Sequence, residues 1–243
     1  MREEDAEMKI NRKTTALTIV GLLLVFAGCQ DPLTTDTAAP WAAAGGNKTE
    51  IVAHCIVTFY LGEGADYFSE QKQILRPALG DIYITAREPE GTFRRQLAGG
   101  AYKSSGPAAT VDQSPAGVID RDIVLAIITA FRASAGYYTA ESGEKLDQVR
   151  IDGKWRLPIK LPGGAVKGAT ITLLQSPDDG EVDFVWVHNT ANDALTTARA
   201  YNIRWLEDAK IFVPTKIDIF RRAAGAITDK KMLQIHYRSF SAP

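Results

Sequence analysis

A series of short segments with alternating apolar and polar residues constrains the fold of this chain most. Between residues 149 and 240 the series includes "EVDFVWVH", "LTTARAYNIRW" and "KMLQIHYRSF", and short turn sequences separate the segments. Side chains in a β-strand point alternately to the two faces of a sheet, so a period of two indicates strands. Five or more consecutive strands with short turns predict an antiparallel, strongly twisted sheet.

Turn residues divide this sheet into hairpins. Asp152 and Gly153 lie between alternating residues, and an Asp-Gly pair in that setting is the strongest short signal for a β-hairpin. Residues 81–106 hold three more short segments, separated by Pro-Glu-Gly and Gly-Gly, as is typical of a meander. The segment 182–187 is apolar on both faces, so both of its faces need cover.

A first helix is predicted near the start of the folded region, over "NKTEIVAHCIVTFYL". The apolar residues between Ile51 and Tyr60 fall on one stripe at helical spacing, and Asn47 with Glu50 forms a capping pair. Cys55 lies on this stripe, which favours a buried core cysteine over a catalytic nucleophile.

A second helix is predicted over "DRDIVLAIITAFRASAG". Asp120 or Asp122 caps its first turn, Arg132 lies in its last turn and Gly136 terminates it. Because residues 123–128 are apolar on every side, this helix must be buried or covered nearly all round. Sheet and helices together predict an α+β domain in which two or more helices cover a curved, mostly antiparallel sheet.

The N-terminus carries a secretion signal. Residues 16–27 are uncharged, which is too short for the roughly 20 apolar residues of a bilayer span but fits the apolar region of a signal peptide. Lys9, Arg12 and Lys13 supply the cationic region before it. The acidic stretch at residues 1–7 does not belong in such a signal, so Met8 is the predicted start of translation.

The end of this signal, "VFAGC", resembles the bacterial lipobox, with Phe26 where leucine is commonest. The resemblance implies that residues 1–28 are removed and that Cys29 is acylated, with chains such as palmitate, to anchor the protein to a membrane. The alternative is an ordinary cleaved signal with a chance cysteine. Gln30 follows the cysteine where enteric bacteria use Asp for inner-membrane retention, so the outer membrane, facing the periplasm, is expected.

The mature chain divides into a tether and one domain. Residues 29–48 are rich in Pro, Thr, Ala and Gly without periodicity, which is typical of a flexible linker. Residues 49–243 are long enough for one hydrophobic core. The net charge of −1, with no basic block, argues against a nucleic-acid partner.

The residues do not predict an enzyme. The chain lacks a Gly-x-Ser-x-Gly elbow, a His-Glu-x-x-His motif and a Cys-x-x-Cys motif. "GGAVKGAT" lacks the Lys-Ser/Thr spacing of a phosphate loop and is interpreted as a flexible turn. His188 and His236 lie near strand ends and could meet in space, although no acid or thiol cluster accompanies them. No catalytic residue, metal ligand or cofactor is therefore predicted, and the pairs Asp178-Asp179 and Glu207-Asp208 are interpreted as turn residues.

The order of elements behind the lipobox resembles the LolA/LolB-like envelope carriers. The stretch "ARAYNIRWLEDAKIFVPTKIDIF" is similar to their pattern of a strand, a tight turn and a Pro-led strand. The resemblance implies an incomplete β-barrel around helices, with a hydrophobic cavity for acyl chains. It identifies no individual ligand-binding residue.

Two functions are consistent with these observations. One is a membrane-anchored protein that binds or carries lipid or another hydrophobic ligand in a half-barrel cavity, lined by aromatic residues such as Trp186, Tyr201 and Trp205. The other is a non-enzymatic structural or protein-interaction lipoprotein of the cell envelope, whose interior is a packed core. The sequence identifies no protein partner for either.

Overall fold

The computed structural model describes residues 50–60, 62, 66–88, 91–106, 118–139, 141–162 and 166–242. The predicted signal peptide, Cys29 and the predicted tether lie outside the described residues.

An antiparallel sheet dominates the described part of the chain. Its order is β5-β4-β3-β2-β1-β13-β12-β11-β10-β9-β8-β6, with β7 paired to β8, and the sheet is not closed into a barrel. The strands are β1 Ile51–Tyr60, β2 Asp66–Arg76, β3 Asp81–Glu88, β4 Gly91–Ala98, β5 Ala101–Ser105, β6 Glu144–Lys145, β7 Val149–Ile151, β8 Lys154–Lys160, β9 Ala169–Gln175, β10 Val182–Asn189, β11 Ala194–Leu206, β12 Ile211–Arg222 and β13 Lys230–Ser241.

The predicted turns occur where the sequence places them. Asp152 and Gly153 have φ values of 50° and 78° and connect β7 to β8, as a tight two-residue hairpin requires. The meander over residues 81–106 is confirmed as β3, β4 and β5. The pairing of β1 with β13, in which Val57 lies opposite Ile235, joins the first and last strands and makes one sheet of two meanders.

One helix, α1 Arg121–Ser134, is present among the described residues, and it matches the second predicted helix. Asp120 is its N-cap, Arg132 lies in its last turn and Gly136 follows it with a φ of 75°. Residues 122–131 are all buried, as the all-round apolar pattern predicts. Within the described ranges no helix has the length and apolarity needed to cross a membrane.

The first predicted helix is wrong, because residues 51–60 form strand β1. Alternate residues Ile51, Ala53, Cys55, Val57 and Phe59 are buried in the strand. A continuous run of apolar and β-branched residues satisfies a helical stripe and one face of a strand equally well, so periodicity cannot separate the two. Pairing with β2 and β13 on both sides decides in favour of the strand.

The sheet curves around α1. The helix contacts β3 and β4 in one half of the sheet and β10, β11 and β12 in the other. In strand order β4 and β10 are seven spacings apart, or about 34 Å if the sheet were flat, whereas a helix is only about 10–12 Å across. Both halves can reach one helix only if the sheet bends toward it. We call the face that packs against α1 the inner face, and the opposite face the outer face.

Candidate functional site

The N-terminal end of α1 is tied to both halves of the sheet. The Asp120 carboxylate accepts hydrogen bonds from two backbone N–H groups of the first turn, both at 3.1 Å, and forms an ion pair with Arg221 of β12 at 2.7 Å. From the other half, Arg95 of β4 donates through Nε to the carbonyl oxygen of Ile119 at 3.0 Å. These contacts hold the first turn of the helix in place against the inner face.

The C-terminal end of α1 borders an open groove with a volume of about 330 Å³, at the small end of the range for ligand sites. Its lining residues come from the end of α1 and the segment after it, and from the described residues between the end of β8 and the first part of β9. Both Val166 and Ile171 belong to the main core, so the groove is continuous with it. The apolar and aromatic side chains that line the groove include Tyr137, Tyr138, Leu161, Pro162, Val166 and Ile171.

Arg132 lines this groove and reaches toward the β2–β3 turn. Its guanidinium carbon lies 5.0 Å from the centre of the Tyr138 ring. There is room for Nη1 because residue 80 is glycine: a Cβ built on Gly80 would lie 2.5 Å from that nitrogen. Arg132 Nε is buried, and no described residue accepts a hydrogen bond from it. No ion pair among the described residues includes Arg132 either, so none of their carboxylates neutralises its charge.

The same end of α1 carries further hydrogen-bonding groups. Ser134 Oγ is buried, and it has no hydrogen-bond partner among the described residues. Burial raises the pKa values of the Tyr137 and Tyr138 hydroxyls, and the nearby Arg132 charge opposes the rise. Both hydroxyls therefore stay protonated at neutral pH and can donate hydrogen bonds.

A second depression, of about 560 Å³, lies beside the groove and is more open. Glu141, Glu144 and Lys160 are among its lining residues, and none of the lining residues is aromatic. It has the larger volume, but an open surface lined by charged side chains excludes water poorly. The aromatic groove is the better candidate for a hydrophobic ligand.

The inner face also has a polar region, along β2. Gln71 and Gln73 are fully buried there, and Gln73 Oε1 accepts a hydrogen bond from the Tyr237 hydroxyl at 2.9 Å. Neither polar atom of the Gln71 amide has a partner among the described residues, nor does Gln73 Nε2. Hydrocarbon placed against these amides would leave them without partners, which costs about 1–3 kcal/mol for each group. The groove on the β8–β9 side is therefore the more favourable place for hydrocarbon.

The predicted aromatic lining of a cavity is wrong. Trp186, Tyr201 and Trp205 lie on the outer face, because the neighbouring residues of their strands face α1. In β10, for example, the residues in the core are Val185 and Val187, which flank Trp186. Trp205 is 43% exposed and packs edge-on against Phe212 at 4.8 Å between ring centres. Alternation shows which residues of one strand share a face, but it does not show which face meets the helix.

The structure does not bring the predicted histidine pair together. His188 Nε2 lies 2.6 Å from Asp193 Oδ1 in the turn after β10, while His236 is exposed on β13. The two strands are three spacings apart, or about 14 Å. Across the described ranges no group of three or more His, Cys, Asp and Glu side chains could hold a metal ion.

The remaining sequence candidates have local structural roles where they are described. Cys55 is a core cysteine, as predicted, although on a strand: it is 3% exposed, and its Sγ lies 3.7 Å from the Gln71 carbonyl oxygen. Asp179 accepts a hydrogen bond from the Glu181 N–H in the predicted turn after β9, and Glu207-Asp208 lies in the turn between β11 and β12. Of the stretch "GGAVKGAT", residues 166–170 are described: 166–168 form a turn and β9 begins at Ala169.

Sequence reasoning missed the groove. It noted Arg132 only as a helix-ending residue, and it interpreted the segment around Val166 only as a turn. The adjacent pair Tyr137-Tyr138 directly after a buried helix was an available signal, since such aromatics tend to pack back on the core or line an opening. Their approach to the β8–β9 connection depends on tertiary packing alone.

The fold has counterparts among solved structures. A LolA superfamily protein from Nitrosomonas europaea matches with a TM-score of 0.52 at 12% sequence identity, over 84% of this chain and 93% of that chain. A putative outer membrane lipoprotein-sorting protein domain from Vibrio parahaemolyticus matches with a TM-score of 0.42 at 10% identity, over 84% and 90%. A DUF1329 family protein from Desulfovibrio piger matches with a TM-score of 0.40 at 11% identity, over 87% and 93%.

The match to the Nitrosomonas europaea protein shows that this chain has a LolA-like fold, as the order of its elements predicts. No family model and no curated protein sequence matches the chain. A shared fold by itself does not identify a function, so function is argued from the site.

Proposed function

We propose that this protein is a non-enzymatic lipoprotein of the cell envelope that binds one hydrocarbon chain of a lipid or related amphiphile. The observation that carries the proposal is the groove beside α1, which has aromatic and aliphatic walls and is continuous with the core. Ligand sites in proteins are mostly apolar and concave, with a few polar groups that orient the ligand. The LolA-like fold supports the proposal, because the sequence resemblance to that superfamily implies acyl-chain binding.

The size of the groove limits the ligand. A volume of about 330 Å³ suits a single chain better than a lipid with two or three chains. The interior beneath α1 offers little additional room, since residues 122–131 of the helix and the strand residues opposite them are buried in one continuous core. We therefore propose that the ligand lies along the C-terminal side of the helix.

Anchoring is a separate part of the proposal. In this view Cys29 carries the acyl chains, and residues 29–48 connect the domain to the outer membrane on its periplasmic side. We expect Cys29→Ser to move the protein from the detergent-extracted membrane fraction to the soluble fraction, or to block removal of the signal, because two or more acyl chains are needed for stable anchoring. Membrane fractionation with immunoblotting measures this. A correctly cleaved Cys29→Ser protein that stayed in the membrane would contradict the lipobox interpretation.

Ligand binding is tested on an unanchored chain, residues 29–243 with Cys29→Ser, which contains every described residue. We expect it, once delipidated, to bind a fluorescent fatty acid saturably, and its melting temperature to rise with ligand concentration. Ligand at one hundred times its Kd stabilises the native state by about 2.7 kcal/mol. Fluorescence titration and thermal melting, run in parallel, measure the two effects.

A matched pair of substitutions locates the binding. Ala169 lines the groove, whereas Ala223 is exposed in the connection from β12 to β13. Ala169→Phe should fill the groove and weaken binding about tenfold or more, and Ala223→Phe should leave it unchanged. If the two variants bound the fatty acid equally well, the groove would not be the binding site.

The packed interior favours one other function, a structural or protein-interaction lipoprotein that takes up no small ligand. That function predicts no saturation with the fatty acid up to its solubility limit and a constant melting temperature. The same titration therefore decides between the two.

A further inference from the structure

We propose that Arg132 binds the anionic head group of a single-chain amphiphile, a carboxylate or a phosphate monoester, whose hydrocarbon lies in the groove. The inference rests on the proposed function and specifies the class of ligand.

The first argument is that Arg132 has no described partner for its charge. Several arginines of the sheet form ion pairs with carboxylates, for example Arg76 with Glu50 at 2.7 Å and Arg156 with Asp183 at 2.5 Å. Arg132 differs from these, because its Nε is buried and has no acceptor among the described residues. A buried donor without an acceptor is uncommon in proteins, and Arg132 lines the groove, so this nitrogen is a candidate donor to a ligand bound there.

The second argument is that the surroundings position the guanidinium. The guanidinium carbon lies 5.0 Å from the centre of the Tyr138 ring, and the missing side chain at Gly80 makes room for Nη1. A guanidinium held between these neighbours has little freedom to move, and its planar fork of N–H groups matches a carboxylate or phosphate.

The third argument is the combination of charge and apolar walls. Arg132 lines the same groove as Tyr137, Leu161 and Ile171, so a ligand in contact with all of them needs a charged end and a hydrocarbon end. Hydrogen bonds between ionised partners are stronger than neutral ones, and partial burial strengthens them further. The groove therefore distinguishes an anionic amphiphile from a neutral one of equal length.

A different role for Arg132 makes a different prediction. A basic residue in the last turn of a helix interacts favourably with the negative end of the helix dipole. If that were its whole role, loss of the charge would lower the stability of the protein and would not change which ligands it prefers.

The test compares three twelve-carbon probes on the unanchored chain: dodecanoate, dodecyl phosphate and dodecanol. Displacement of the fluorescent fatty acid measures each Kd, below the concentration at which the probes form micelles. We expect at least one of the two anions to bind about tenfold or more tightly than dodecanol. The ratio of the Kd values of dodecanoate and dodecyl phosphate then shows whether the site prefers a carboxylate or a phosphate.

Substitutions assign this preference to Arg132. Arg132→Gln should abolish the preference while dodecanol still binds, and Arg132→Lys should restore part of it, because lysine keeps the charge without the planar fork. A second variant leaves Arg132 itself in place: Gly80→Ala puts a methyl group 2.5 Å from Nη1 and should reduce the preference by moving the guanidinium. Its control is Gly225→Ala, which has a nearly identical φ of +74° and open space around the new methyl group.

The outcomes separate this inference from the proposed function. Equal affinity for all three probes, or an unchanged preference for anions in Arg132→Gln and Gly80→Ala, would overturn the role of Arg132 and leave the groove as a hydrophobic site. Absence of binding by all three probes would overturn the proposed function and this inference together.

Discussion

Replacement of Phe131 by alanine is expected to lower the free energy of unfolding by about 3–5 kcal/mol. Phe131 lies near the C-terminal end of α1 and is fully buried. Its ring packs edge-on against Tyr237 at 5.2 Å between ring centres and against Phe240 at 6.2 Å. The substitution removes the transfer free energy of the ring and these aromatic contacts, and it leaves a cavity between the helix and β13.

Urea denaturation of the unanchored chain, followed by circular dichroism, measures this loss. The matched control is Phe68→Ala on β2, where the ring is 64% exposed, and we expect a change within about 0.5 kcal/mol. If the Phe131 and Phe68 variants lost equal stability, the helix could not be packed on the inner face as described.

The second large expected effect concerns the reactivity of Cys55. Burial raises the pKa of the Cys55 thiol from its usual value of 9.0 to about 12. Since the thiolate is the reacting form, a rise of that size lowers its population about a thousandfold at pH 8, and burial blocks access as well. In the native unanchored chain, where Cys55 is the single cysteine, a disulfide reagent should react only at the rate at which the protein opens.

The reaction is measured by the absorbance of the thiolate that the disulfide reagent releases. In guanidinium chloride, where the chain is unfolded, one thiol per chain should react at once. As a control, Ser104→Cys in a Cys55→Ala background places a thiol on the exposed strand β5, where it should react quickly. If Cys55 in the native protein were labelled as fast as the control, its side chain could not be buried on the inner face.

The same shift gives a pH dependence with a defined sign. The pKa of the thiol is higher in the folded state than in the unfolded state, so the unfolded chain releases this proton first as the pH rises. The stability that the buried Cys55 thiol contributes is complete below about pH 9 and is lost as the pH rises toward about 12. Cys55→Ala should remove this part of the alkaline destabilisation.

Much of the fold followed from local sequence. The hairpin at Asp152-Gly153 and the capped, fully buried helix α1 are confirmed, because each depends on residues close together in the chain. A turn that needs positive φ selects residues such as Asp and Gly, and a helix that is apolar all round cannot be stable at the surface. These are local requirements, and a single sequence expresses them directly.

Three features were decided only by tertiary structure. Residues 51–60 became a strand because β2 and β13 pair with both of its edges, and β13 lies about 180 positions further along the chain. Trp186 and Trp205 lie on the outer face because α1 covers the opposite one. The groove exists because the segment after α1 meets the connection from β8 to β9, and Arg132 reaches the β2–β3 turn there. Alternation along a strand fixes which side chains share a face, but the choice of face depends on which distant segments pack against it, and local periodicity carries no information about that.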